Sequence, residues 1–156
     1  MVTMIGVMDM IDIIELNHVT IVSRNIDASR RFYVGVLGMD ELETPSVFTH
    51  TSIWFHKGNA EIHLVHEPDS TQKPGDPPTH TVGERDWSKS RHFALAVSDI
   101  YSAKKTLEEN GIEIVLGPRP RGDGPIQMFC YDPDGYLIEV HTLKGNLQNE
   151  IRASGH

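Results

Sequence analysis

The chain has 156 residues and a formal net charge of −8, with 38% hydrophobic and 23% charged residues. This composition is typical of a globular protein with one domain or two small, tightly joined units, and it argues against a disordered chain. The acidic balance excludes sequence-independent nucleic-acid binding, which requires a basic surface. The single cysteine, Cys130, cannot form an intramolecular disulfide, which fits a reducing compartment.

The N-terminal stretch MVTMIGVMDMIDII is apolar but lacks the features of a signal peptide. No basic residue precedes the apolar run, Asp9 and Asp12 interrupt it, and no small-residue cleavage pattern follows. The stretch is also too short to span a membrane. We therefore expect a cytoplasmic protein without membrane association.

Two segments of the chain share one order of predicted elements. They begin with LNHVTIVSRNIDASRRFYVGVLGM (16–39) and SRHFALAVSDIYSAKKTLEENGI (90–112). In each, a strand of alternating pattern leads into an amphipathic helix, for which Asp27 and Asp99 are the predicted N-caps. A glycine then marks the end of each helix.

A predicted hairpin follows each helix. The first is SVFTHTSIWFHKGNAEIHLVH (46–66), with the turn HKGN, and the second is PIQMFCYDPDGYLIEVH (125–141), with the turn DPDG. The order of strand, helix and about three strands therefore occurs twice, which predicts an α+β fold with an internal repeat. The predicted divisions are a leader (1–13), a first module (14–66), a linker or surface loop (67–90), a second module (91–142) and a C-terminal tail (143–156).

Aligning the two segments places four potential metal ligands at matching positions. His18 and His92 fall in the first strands, 74 residues apart, and His63 and Glu139 fall in the last strands, 76 residues apart. A lone strand histidine is more often a surface or hydrogen-bonded residue, but four such residues at repeat positions indicate a shared site. Pseudo-twofold packing would bring them together around one divalent ion, and three imidazoles with one carboxylate suit Zn, Ni, Co, Fe or Mn.

Other polar residues have weaker signals. His141 lies two residues beyond Glu139 and could contact a ligand from outside, although a role unrelated to the site is favoured. Arg119 and Arg121 could bind an anionic substrate group, although solvated loop charges are the more common case. Nothing marks Cys130 as a nucleophile. The remaining histidines are expected at the surface, in loops or at the terminus: His50, His56, His66, His80 and His156.

The segments LNHVTIVSRNIDASRRFYVGVLGM, RHFALAVSDI and FCYDPDGYLIEVH resemble the vicinal oxygen chelate superfamily, the glyoxalase, bleomycin-resistance and dioxygenase group. The resemblance covers residues 14–142. It implies two βαβββ modules that form a cupped mixed sheet around a divalent metal, with ligands at His18, His63, His92 and Glu139. It also implies a homodimer, with the site lying either within one chain or across the dimer.

The sequence departs from several members of that superfamily. Glyoxalase I usually has Glu at the position of His63. Methylmalonyl-CoA epimerases match three ligand positions, but only Glu43, by rough location, could supply their remaining catalytic carboxylate. Fosfomycin-inactivating thiol transferases also match three, but Glu150 lies where they have a substrate-binding arginine. Extradiol dioxygenases are typically larger, and bleomycin-resistance proteins usually lack the full ligand set.

The leading hypothesis is a divalent-metal-dependent, glyoxalase-like lyase or isomerase. The metal would hold two neighbouring oxygens of a small substrate, and Glu139 would act as the general base. The alternatives are a metal-dependent thiol transferase of the fosfomycin-resistance type with a thiol co-substrate, an extradiol dioxygenase, and a non-enzymatic protein that sequesters a small molecule.

Overall fold

The computed structural model describes residues 11–47, 51–71, 74 and 90–144. The first module contains β1 (Val19–Ser23), α1 (Ile26–Arg30), a π-helical continuation (Arg31–Val36), β2 (Asp40–Leu42), β3 (Ser52–Lys57) and β4 (Ala60–His66). The second contains β5 (Phe93–Ala96), α2 (Ile100–Glu109), β6 (Ile114–Pro120), β7 (Ile126–Tyr131) and β8 (Leu137–His141). The predicted α+β fold with two βαβββ modules is therefore confirmed.

Each module forms a four-stranded mixed sheet. The strand orders are β1-β4-β3-β2 and β5-β8-β7-β6, so the two sheets have the same topology. The first and last strands of each module are parallel neighbours, and the other neighbours are antiparallel. Both turns predicted from the sequence, HKGN and DPDG, connect antiparallel strands.

Much of the predicted leader, linker and tail lies outside the described residues. Of the linker the structure describes 67–71, 74 and 90, and of the tail 143–144. The predicted module boundaries therefore stay predictions. His50, His80, His156 and Glu150 also lie outside the described residues.

The two helices begin at side-chain caps. Asp99 is the N-cap of α2, as predicted, and its carboxylate accepts hydrogen bonds from two first-turn amides. At α1 the cap is Asn25, whose Oδ1 accepts from the Ala28 amide at 3.0 Å. The predicted Asp27 cap is therefore wrong, and Asp27 lies in the first turn, where its charge suits the positive helix end. Of the helices that the structure describes, none is long and apolar enough to cross a membrane.

The strand alternation decides which side chains enter the core. On β4, Ile62 and Leu64 are buried, whereas Glu61, His63 and Val65 on the opposite face are half-buried. The apolar cluster draws on both modules and includes Ile21, Phe32, Tyr33, Ile53, Phe55, Ile100, Leu107, Met128, Ile138 and Val140. The histidine face of β4 is thus the one left open to a ligand.

Buried and partly buried polar contacts join the two modules at the DPDG turn. The Tyr33 hydroxyl donates to Asp132 Oδ2 at 2.8 Å, and the Arg24 amide donates to Asp134 Oδ1 at 3.0 Å. The turn of the second module is therefore anchored on the helix and first strand of the first.

Asp132 makes the stability of this junction depend on pH. Burial raises the pKa of its carboxyl from 3.8 to about 6, against the opposing effect of three hydrogen bonds. Between these pH values the native state keeps a proton that the unfolded chain has lost, so the stability from this group is full below pH 3.8 and is lost as pH rises through about 6. Relative to Asp132→Asn, the wild type should lose at most about 3 kcal/mol of unfolding free energy between about pH 4 and pH 7. Urea unfolding across this range measures the difference, and a constant difference would contradict the argument.

Cys130 in β7 is fully buried, and burial raises the pKa of its thiol to about 12. Since the thiolate is the reactive form, native protein at about pH 8 should not react with a disulfide reagent such as dithiobis-nitrobenzoate. Denaturant should release one reactive thiol per chain. A stoichiometric reaction under native conditions would show that the thiol is accessible.

Candidate metal and active site

The first two candidate ligands, His18 and His63, form the first pair. Strand register places Thr20 beside His63, and His18 lies two residues before Thr20. The two imidazole rings stack with centroids 4.0 Å apart and an interplanar angle of 14°. Trp54, opposite His63 on β3, stacks on the same ring at 4.1 Å and 6°. The His63 ring therefore lies between two parallel rings.

The other two candidates, His92 and Glu139, form the second pair by the same geometry. Register places Ala94 beside Glu139, and His92 lies two residues before Ala94. His92 Nε2 and Glu139 Oε2 are 3.0 Å apart, and the side chains are 20% and 9% exposed. A largely buried carboxylate thus contacts an imidazole nitrogen at hydrogen-bonding distance.

The hydrogen-bond roles of the two His92 ring nitrogens show what this contact requires. Its Nδ1 donates to the Ser90 carbonyl oxygen at 2.7 Å, and a carbonyl oxygen can only accept. A neutral His92 ring therefore has a bare lone pair on Nε2, facing a Glu139 oxygen that also has only lone pairs. Two acceptors at 3.0 Å repel, so this contact requires either a proton or a bound cation between the two atoms.

Two buried oxygens beside His92 lack hydrogen-bond partners. In the described part of the chain, the buried side-chain atoms without such a partner are Ser90 Oγ and Glu139 Oε1. An unsatisfied buried polar atom costs about 1–3 kcal/mol, and it calls for an explanation. A ligand bound at the second pair would supply one.

Arg121 provides a positive charge next to Glu139. Its Nε and Nη2 donate to Asp123 at 2.7 and 2.9 Å, and its Nη1 lies 3.6 Å from Glu139 Oε1. The hydrogen bond from Arg121 lowers the pKa of Asp123 to about 2, and the same bond raises the pKa of Arg121. Both groups remain charged, so the turn after β6 holds a fixed ion pair over the carboxylate.

The four predicted ligands come together as two pairs on separate sheets. Among the described residues, no group of three or more His, Cys, Asp or Glu side chains is arranged to hold a metal ion. His18 and His92 nevertheless line one cavity of about 810 Å³, together with Glu61. Convergence of all four predicted ligands on one ion stays a prediction.

The structure also places the other polar residues that the sequence analysis considered near the site. His141 Nδ1 donates to the Thr142 carbonyl at 2.9 Å, and Glu43 is exposed after β2. The sequence interpretation assigned no role to Glu61, whose Oε1 lies 2.6 Å from His63 Nε2. The available signal was its place two residues before His63, on the same strand face. The substrate role considered for Arg119 and Arg121, for which solvated loop charges are the favoured alternative, stays a hypothesis.

Comparison with known proteins agrees with this architecture. The chain is 33% identical over 132 residues to a probable lactoylglutathione lyase of Synechocystis sp., covering 80% of this chain and 92% of that protein. It is 29% identical over 126 residues to glyoxylase I 4 of Arabidopsis thaliana, covering 80% and 68%. The crystal structure of a putative glyoxalase family protein from Bacillus anthracis superposes with a TM-score of 0.65 at 26% identity, covering 86% of this chain and all of that one. Residues 15–140 match the Glyoxalase/Bleomycin resistance protein/Dioxygenase superfamily, and the chain belongs to that family.

Proposed function

We propose that this chain is a divalent-metal-dependent lyase or isomerase of the glyoxalase type. In this proposal His18, His63, His92 and Glu139 hold one ion, and Glu139 is the general base. The observation that carries it is the distance of 3.0 Å between His92 Nε2 and Glu139 Oε2, which places two potential metal-ligand atoms side by side. The relatives named glyoxylase I and lactoylglutathione lyase support the reaction class.

The donor set fits a divalent transition ion. Imidazole nitrogen and carboxylate oxygen suit Zn, Ni, Co, Fe and Mn, and His92 Nε2 and Glu139 Oε2 lie close together at 3.0 Å. When bound, such an ion supplies Lewis-acid polarisation of the substrate oxygens.

Glu139 has the properties expected of the base. Its side chain is only 9% exposed, and its Oε1 accepts no hydrogen bond, so this oxygen can take a proton from the carbon beside a substrate carbonyl. Return of the proton to the former carbonyl carbon of the substrate would complete an isomerisation. Arg121 at 3.6 Å stabilises the ionised carboxylate before the transfer.

We further propose that a second copy of the chain completes the site. Each chain presents the first pair, His18 and His63, on one module and the second pair, His92 and Glu139, on the other. In this proposal, a twofold dimer brings the first pair of one copy to the second pair of its partner. Immediately before His18, a run of large apolar side chains is more than 80% exposed: Ile11, Ile13, Ile14 and Leu16. An exposed apolar strip of this kind is typical of a protein interface, and it adjoins the first pair.

Mixing two inactive variants tests the shared site. His18→Ala removes a donor from the first pair, and Glu139→Gln alters the second. If a site combines pairs from two copies, a mixed dimer contains one intact site and one doubly altered site. Unfolding and refolding an equal mixture should restore about a quarter of wild-type activity, given random pairing of copies.

The separate variants, refolded alone, are the matched controls and should remain inactive. Mass analysis of the mixture establishes that mixed dimers are present. Mixed dimers without activity would show that each site lies within one chain, and a monomeric wild type would overturn the dimer.

Glu139→Gln also tests the base. The amide oxygen can still act as a ligand but cannot take a proton, so turnover should fall about 10²- to 10⁴-fold while bound metal, measured by elemental analysis, is retained.

Activity should first be located by screening hemithioacetals, acyl-CoA epimers, epoxides with a thiol, and catechols, each with several divalent ions. Unchanged turnover in the variant would refute the base assignment. A response to epoxide and thiol alone would favour the transferase alternative.

A further inference from the structure

The His63 ring is fixed by two different kinds of contact. The His63 ring stacks on His18 on one side and on Trp54 on the other, and these contacts fix the plane of the ring. The bond of 2.6 Å between His63 Nε2 and Glu61 Oε1 fixes its orientation within that plane. The side chains of Glu61 and His63 are 26% and 15% exposed, so the bond is partly shielded from water.

The Glu61 bond also decides which nitrogen of His63 is protonated. An ionised carboxylate can only accept, so His63 Nε2 must be the donor. A neutral imidazole has one N–H, and the lone pair is therefore on Nδ1. A short bond to a carboxylate is also stronger than a neutral one, which favours this tautomer over the other.

The other two histidines have the opposite arrangement. His18 Nδ1 donates to Asn17 Oδ1 at 2.8 Å, and the Asn17 amide nitrogen donates to Glu15, which sets the amide orientation. His92 Nδ1 donates to the Ser90 carbonyl at 2.7 Å. Both rings therefore have their lone pair on Nε2, and His63 is the exception.

We infer that Glu61 is a positioning residue that locks His63 as its Nε2–H tautomer and presents Nδ1 as the ligand atom. The ligand part of this inference rests on the proposed function, whereas the tautomer does not. A carboxylate that holds a ligating histidine by its second nitrogen orients the ring and increases its basicity. Loss of Glu61 should therefore weaken metal binding without removing a donor.

Nitrogen NMR of metal-free protein tests the tautomer directly. At mildly alkaline pH, wild-type His63 should show a protonated Nε2 and an unprotonated Nδ1. His63→Asn identifies the signals. Glu61→Ala should give a mixture of the two tautomers, and Glu61→Gln, which keeps an acceptor oxygen but no charge, should lie between. Glu67→Ala, an exposed glutamate just after β4, is the matched control and should match the wild type.

Calorimetric titration with Zn²⁺ then tests the consequence for binding. Glu61→Ala should weaken affinity about 10- to 100-fold, and Glu61→Gln should weaken it less. Glu67→Ala should bind as the wild type does. Circular dichroism checks that each variant is folded. If Glu61→Ala does not fold, Glu61→Gln serves as the test variant in its place.

The two measurements separate failure of this inference from failure of the proposed function. A wild-type His63 that is protonated on Nδ1, or a tautomer ratio unchanged in folded Glu61 variants, would overturn the positioning role. A locked Nε2–H tautomer in a protein that binds no divalent ion would support the role of Glu61 and overturn the metal site.

Discussion

Parallel pairing between the first and last strand of each module determines where the donors lie. Thr20 pairs with His63 and Ala94 pairs with Glu139, so the histidine two residues earlier becomes a diagonal neighbour on the same face. A shift of one residue would turn His63 into the core and Ile62 out of it. Because Ile62 is 1% exposed, apolar burial holds the register that brings the donors together. The geometry of the site is therefore a consequence of core packing.

The hydrogen bonds of the second pair leave two acceptor atoms facing each other. His92 has its proton on Nδ1, and its bare Nε2 faces a buried carboxylate. Arg121 places a positive charge nearby, but its Nε and Nη2 atoms donate their hydrogen bonds to Asp123. Glu139 Oε1 thus has an ion-pair neighbour at 3.6 Å without a hydrogen bond. A proton or a bound metal ion between the two atoms would satisfy this contact.

The sequence predicted the two modules because strand order, strand alternation and turns are local patterns. Strand alternation fixes the face of each residue, and the offsets of 74 and 76 residues fix the matching positions. The start of α1 was less predictable, since Asn25 and Asp27 are both good caps and the hydrogen bond of 3.1 Å from the Asn25 amide to Ser23 Oγ supports the earlier one. The bond between Glu61 and His63 depends on rotamers, which alternation does not specify. Strand alternation also does not specify how the two pairs combine, because it fixes only the face on which each side chain lies.

The two modules depart from their pseudo-twofold relation at the carboxylates. Seventy-six residues after Glu61 stands Leu137, which is 4% exposed, and seventy-six after His63 stands Glu139. Each module therefore contributes one carboxylate, but at positions two residues apart on the strand. The carboxylate of Glu61 is occupied by a short bond to His63, whereas Glu139 has an oxygen with no hydrogen bond. Each carboxylate thus contacts a histidine of its own module, but the Glu139 side chain is 9% exposed and that of Glu61 is 26% exposed, so under the proposed function the repeat supplies the base from its more buried position.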